Sequence, residues 1–212
     1  MSVGQVARRA LGPAFPIAGS AYRRVFVDVR KVASCIPVLP GGSTMLDVGI
    51  GDGSITNPLL DLQPDLRIVG VDLAQDIGSS LRDDLRDRVE LHPATSVAGL
   101  VAAGAREFSA AFMADVLHHV PPSARQELVA DVLSAFGDGP RTLIIKELVP
   151  QGVRSRVAFW ADRNISRDPC VEPIGPAATV TLVRSVWAAS TVEVTELQHV
   201  DFPNYCLVFR QA

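Results

Sequence analysis

The stretch LDVGIGDGS, residues 46–54, constrains the fold more than any other part of the chain. A short apolar run ends in three glycines at alternate positions, Gly49, Gly51 and Gly53, and a helix-compatible segment follows at 54–62. A strand that turns through glycines directly into a helix opens a βα unit. The glycines let the backbone reverse sharply and leave bare main chain for a ligand to lie against. Twenty-one residues after Gly51 stands Asp72, at the end of a second apolar run, RIVGVD. A carboxylate at that place can accept both hydroxyls of an adenosine ribose.

The alternation continues along the chain. Residues 74–85 read as a helix with Asp83, Asp84 and Asp87 on its solvent side. Strands are expected at 89–91, 108–114 and 141–148, and helices at 96–103 and 122–136. Continuous apolar strands between helices imply a parallel sheet covered on both faces. After a helix at 177–189, strands at 192–197 and 204–209 are joined by only a few residues. That is too few for a parallel crossover, so the pair is antiparallel. The expected class is α/β: a Rossmann-like, doubly wound, seven-stranded sheet, mostly parallel, with an antiparallel C-terminal strand.

Composition narrows the function classes. The 212 residues are 48% hydrophobic and carry a net charge of −3. Enough apolar material exists for a packed core, and bulk charge does not favour nucleic acid. Cys35, Cys170 and Cys206 are far apart and odd in number, which argues against a disulfide framework or a structural zinc site. No apolar run approaches a membrane span and no cleavable leader is evident, so the expected place is the cytoplasm. Of the 20 Lys and Arg residues, only Lys31 and Lys146 are lysine.

Ser54 stands where the third glycine of a nicotinamide fingerprint belongs, and no lysine is near enough for a P-loop. The pattern is D-x-G-x-G-x-G from Asp47. It resembles motif I of the class I S-adenosylmethionine-dependent methyltransferases. The resemblance extends through VGVDLA, MADVLHHVPP and LIIKELVP to the closing hairpin, about residues 40–212. It implies S-adenosyl-L-methionine as cofactor, bound by Asp47, Gly49, Gly51 and Gly53. Asp72 would take the ribose, Leu73 would lie against adenine, and Ala114 and Asp115 would approach the methionine amino group. Many members carry an acid after the third strand for the adenine amine. Here LHPATS has none, so backbone or Ser96 would substitute.

Asp115 and His119 are four apart and share a face if DVLHHV makes one helical turn. An acid–histidine pair there would make a general base. His118 is the alternative base, and a structural histidine is the bland reading. Residues 149–175 interrupt the alternation and contain a helix-compatible stretch. Arg156, Trp160, Arg163 and Arg167 form one stripe on it. In related methyltransferases an insertion here covers the acceptor pocket, as does an N-terminal helix, here one carrying Tyr22. A single domain is therefore expected, with cap helices at 1–38 and a covering insertion at 149–175.

The arginines and Tyr22 would suit an anionic small-molecule acceptor, a phosphonate or carboxylate. The alternatives for that helix face are a solvated surface or a homodimer interface. The resulting expectation is methylation of a small metabolite in secondary metabolism, such as antibiotic biosynthesis, more at oxygen than at nitrogen or carbon. The acceptor is anionic or a hydroxyl, and neither nucleic acid nor a membrane is a partner. The other reading is a cofactor-binding regulatory or scaffold protein that does not methylate. No metal is expected, because Asp115 and Glu147 lack a third ligand.

Overall fold

The computed structural model describes residues 28–104, 107–164, 170–187, 192–196 and 204–211. Tyr22, Arg167 and most of the expected N-terminal cap lie outside them. Seven strands form one sheet in the order β3-β2-β1-β4-β5-β7-β6. They are β1 (Thr44–Val48), β2 (Arg67–Val71), β3 (Val89–His92), β4 (Ala110–Ala114), β5 (Arg141–Leu148), β6 (Glu193–Glu196) and β7 (Asn204–Gln211). The first five are parallel, and β7 runs antiparallel to both β5 and β6.

The helices are α1 (Val29–Cys35), α2 (Thr56–Leu62), α3 (Val97–Ala102), α4 (Pro122–Ser134), α5 (Val153–Asn164) and α6 (Pro176–Val186). The pleat of β5 shows how the two layers are built. Leu143 and Ile145 pack with Val129 and Val132 of α4 and Val183 of α6. Ile144 points the other way, to Val32 of α1 and Leu59 and Leu60 of α2. With a period of two, Lys146 and Glu147 at the top of β5 also emerge on opposite faces. Among the described residues, no helix is long and apolar enough to cross a membrane.

One expected element is absent. Residues 73–82 form bends and turns, and only a 3₁₀ turn at Asp83–Arg88 follows. Helical spacing loses here because the backbone donors are used elsewhere. The Gly78 amide donates to Gly51 O at 2.8 Å and the Ser80 amide to Asp52 O at 2.8 Å. Gly78 itself sits at φ +67°, where a Cβ would lie 2.5 Å from Leu91 Cδ1. The segment therefore braces the glycine loop instead of folding on itself.

The strand order reverses between β1 and its neighbours β2 and β4. In open α/β sheets the ligand crevice lies outside the C-terminal strand ends at such a point.

Candidate active site

A cavity of about 620 Å³ opens at that crevice. Its size suits a small cofactor and substrate. The glycine loop forms one wall. The Gly49 amide donates to Val71 O at 2.8 Å, which folds the chain back over β2. Gly49 has φ +71°, and a Cβ there would stand 2.7 Å from Val116 Cγ2. Asp72 is held towards the loop: Oδ2 accepts from the Gly51 amide at 3.0 Å and Oδ1 from the Ala74 amide at 2.9 Å. Leu73 lines the same cavity with 77% of its surface exposed. Asp47 is buried below, accepting from Thr56 Oγ1 at 3.3 Å. Burial pushes its carboxyl up to about 7; Thr56 opposes this and nearby Asp72 adds to it.

These features fit a nucleoside cofactor that carries positive charge. Bare glycine backbone admits close approach, Asp72 offers acceptors, Leu73 offers an apolar face, and Asp47 gains a counter-charge. Ser96 lines the cavity while its Oγ accepts from the Gly99 amide at 3.0 Å and caps α3. Glu127 and Asp131 of α4 line the same cavity as Thr95 and Ser96.

The turn after β4 differs from the sequence expectation. Asp115 adopts φ +58°, so the segment is not one α-turn but a 3₁₀ turn at Leu117–His119. The spacing of four therefore does not make Asp115 and His119 the acid–histidine pair. Asp115 Oδ2 instead accepts from Lys146 Nζ at 2.5 Å. The buried pair is His118 with Glu147, Nδ1 to Oε2 at 2.5 Å, with both side chains 1% exposed. Glu147 Oε1 also accepts from the Leu117 amide at 2.6 Å. His118 and His119 both line the cavity, with ring centroids 4.2 Å apart. Ligand atoms of Asp115, His118 and Glu147 lie within 4.8 Å of one another. The expectation of no metal rested on two acids alone. The fold adds a third group, His118, but also seats the Lys146 ammonium on Asp115.

Of the expected acceptor arginines, the described Arg156 and Arg163 do not line the cavity. Helix α5 buries Ser155, Ala158 and Phe159, while Arg156, Trp160 and Arg163 face solvent. Arg163 donates from Nε and Nη2 to Val171 O, at 3.1 and 2.6 Å. Among the described residues of α5, Ala158 alone lines the cavity, beside Leu148. Among the described residues no Lys or Arg lines the cavity, whereas Asp47, Asp52, Asp72, Asp115, Glu127 and Asp131 do.

Residues 45–139 match the family model of the methyltransferase domain. Over that stretch the chain is similar to the methyltransferase domain family. No curated protein sequence matches the chain. Solved structures similar to it include an O-methyltransferase family protein from Burkholderia thailandensis, at 18% identity and a TM-score of 0.74, covering 100% of this chain and 64% of that one. An O-methyltransferase family 2 protein from Planctomyces limnophilus, in complex with apigenin, shares 17% identity at a TM-score of 0.70, over 100% of this chain and 62% of that one. The N,N-8-amino-8-demethyl-D-riboflavin dimethyltransferase RosA from Streptomyces davawensis shares 17% identity at 0.69, over 97% and 59%. The likeness is one of fold, and the chain spans less than two thirds of each of these proteins.

The family match ends before β5. Lys146 and Glu147, which grip the 115–118 turn, lie beyond it. Two ionisable residues ending the apolar strand RTLIIKEL are the sequence signal that points to them. Buried charge without partners is too costly to keep.

Proposed function

We propose that the protein is an S-adenosylmethionine-dependent methyltransferase acting at a hydroxyl of a neutral or cationic small molecule. The observation that carries this reading is the His118–Glu147 pair, whose histidine lines the same cavity as the glycine loop and Asp72. When bound, S-adenosylmethionine supplies a methyl group on a positively charged sulfur. The residues of this chain then have three tasks: alignment, exclusion of water and removal of a proton.

Gly49, Gly51 and Gly53 would cradle the methionine end, and Asp72 and Leu73 the adenosine. Asp47, at the foot of the loop, would balance positive charge. Glu147 holds Nδ1 of His118 and so fixes the ring, and Nε2 would accept the acceptor hydroxyl's proton. The cavity would hold that oxygen for in-line displacement, the bound cofactor supplying the methyl group and its sulfur keeping the electron pair of the broken bond. Leu148 and Ala158 give the acceptor an apolar wall.

The acidic lining supports an uncharged or cationic acceptor over the phosphonate or carboxylate suggested by the arginine stripe. An anion would meet like charge without an Arg or Lys among the described lining residues. A hydroxyl acceptor also gives a base something to do, which an ionised acid does not. The O-methyltransferases among the structural relatives support oxygen as the target, and the dimethyltransferase keeps nitrogen as the competing class. The test is S-adenosylhomocysteine release with matched panels of phenols, amines and carboxylates. Turnover confined to the carboxylates would reject the acceptor class. Cofactor binding without turnover on any panel would favour the regulatory reading.

A further inference from the structure

We propose that Lys146 is the resident cation of the 115–118 turn: a positioning residue that neutralises Asp115 and keeps His118 in a state able to accept a proton. This rests on the reading of His118 as the base. Lys146 is one of only two lysines in the chain and is fully buried. Its Nζ donates to Asp115 Oδ2, while its carbonyl accepts from the Asp115 amide at 2.9 Å. Side chain and main chain thus hold one residue in a left-handed conformation, φ +58°, that a non-glycine rarely adopts. From the opposite face of β5, Glu147 holds the Leu117 amide and the His118 ring. Two consecutive residues of one strand therefore grip the turn from both sides of the sheet.

The electrostatic consequence follows from the 4.8 Å spacing of Asp115, His118 and Glu147. Two uncompensated carboxylates beside one imidazole would favour imidazolium, which cannot accept a proton. The Lys146 ammonium cancels one of them. Among the described residues, the other groups near the ring do not replace it. Glu172 meets His118 through its backbone amide, donating to His118 O at 2.8 Å. Phe159 of α5 presents a ring edge at 5.5 Å, and the His119 ring lies tilted by 40° at 4.2 Å. Arg125 of α4 donates to Val120 O and Glu172 O. The phenol of Tyr205 on β7 is engaged with Thr179 and Ile174 O, and burial keeps it protonated.

The test is a pH titration of the histidine rings by NMR in the purified full chain, which needs no acceptor. His118→Gln assigns the resonance. Lys146→Met is expected to raise the His118 midpoint by about one unit or more. Asp115→Asn is expected to lower it, and Lys146→Met combined with Asp115→Asn to return it towards wild type. His92 and the fold, read by circular dichroism, should not change. A midpoint that stays put in both single variants, or moves the same way in both, overturns the proposal. If Lys146→Met does not fold, the isosteric Asp115→Asn decides alone: a fall supports the proposal and an unchanged midpoint ends it. Because no turnover is measured, this outcome is independent of whether a methyl group is transferred.

Discussion

Burial of the Asp47 carboxyl, raised to about 7, ties one residue to both stability and binding. A group whose folded value is raised contributes stability fully below its unfolded value near 3.8 and loses it as pH climbs through 7. Asp47→Asn should therefore flatten this loss and leave the cofactor-free protein more stable than wild type at pH 8, by several degrees in melting temperature. A positive cofactor favours the ionised carboxyl, so wild-type affinity should fall as pH drops below about 7, with a proton released on binding. Calorimetry in buffers of different ionisation enthalpy measures that proton, and its absence would remove Asp47 from the cofactor site. At Gly49, Ala would meet both the left-handed φ and the Val116 methyl at 2.7 Å. Gly49→Ala should weaken S-adenosylhomocysteine binding by about tenfold or more, since the strain falls on the loop itself. These positions were legible in the sequence because a glycine's need for positive φ and a carboxylate 21 residues on are local facts. Lys146 was not legible as a partner of Asp115, because a buried ion pair is visible only once two strands are side by side.

Elements were legible where their information is local and lost where it is shared. Strand β5 matches its expected bounds, being a continuous apolar run. The helix expected at 74–85 gave way to turns because Gly78 and Ser80 use their amides on the glycine loop. The histidine paired with an acid is His118, the alternative in the sequence, and not His119, for a similar reason. Spacing of four assumes α geometry, and the positive φ of Asp115 replaces it with a 3₁₀ turn. At this scale, His118→Gln should reduce kcat by about 10²–10⁴-fold while cofactor affinity stays within about twofold. Glu147→Gln should lower kcat in the same direction, since a neutral amide no longer stabilises the imidazolium that forms. His119→Gln should have the smaller effect; the reverse order in steady-state kinetics would restore the first sequence reading. Arg163 of the arginine stripe takes a structural part here. Arg163→Met removes two hydrogen bonds to Val171 O and should cost about 1–2 kcal/mol. Hydrogen exchange should rise at residues 170–175 with cofactor affinity unchanged.

At the scale of the molecule, the sheet brings cofactor loop, acidic lining and base to one crevice through the reversal of strand order at β1. The acidic lining is a property of the assembled cavity, since Asp72, Asp115 and Asp131 lie on three different segments. No window of sequence displays it, which is why the arginines looked more telling than they are. Ligand linkage gives a global check. S-adenosylhomocysteine at one hundred times its Kd should stabilise the protein by about 2.7 kcal/mol, a rise of roughly 5–10 °C in melting temperature for a chain of this size. NADH should give no rise; a rise with NADH alone would transfer the glycine loop to nicotinamide chemistry. The most direct measurement is transfer of a labelled methyl group from S-adenosylmethionine to a panel of neutral and cationic hydroxyl compounds, for wild type and His118→Gln side by side. The account predicts labelled ether from wild type and a loss of at least about a hundredfold in the variant with cofactor binding retained. Equal transfer by both proteins, or label only on carboxylates, would contradict it.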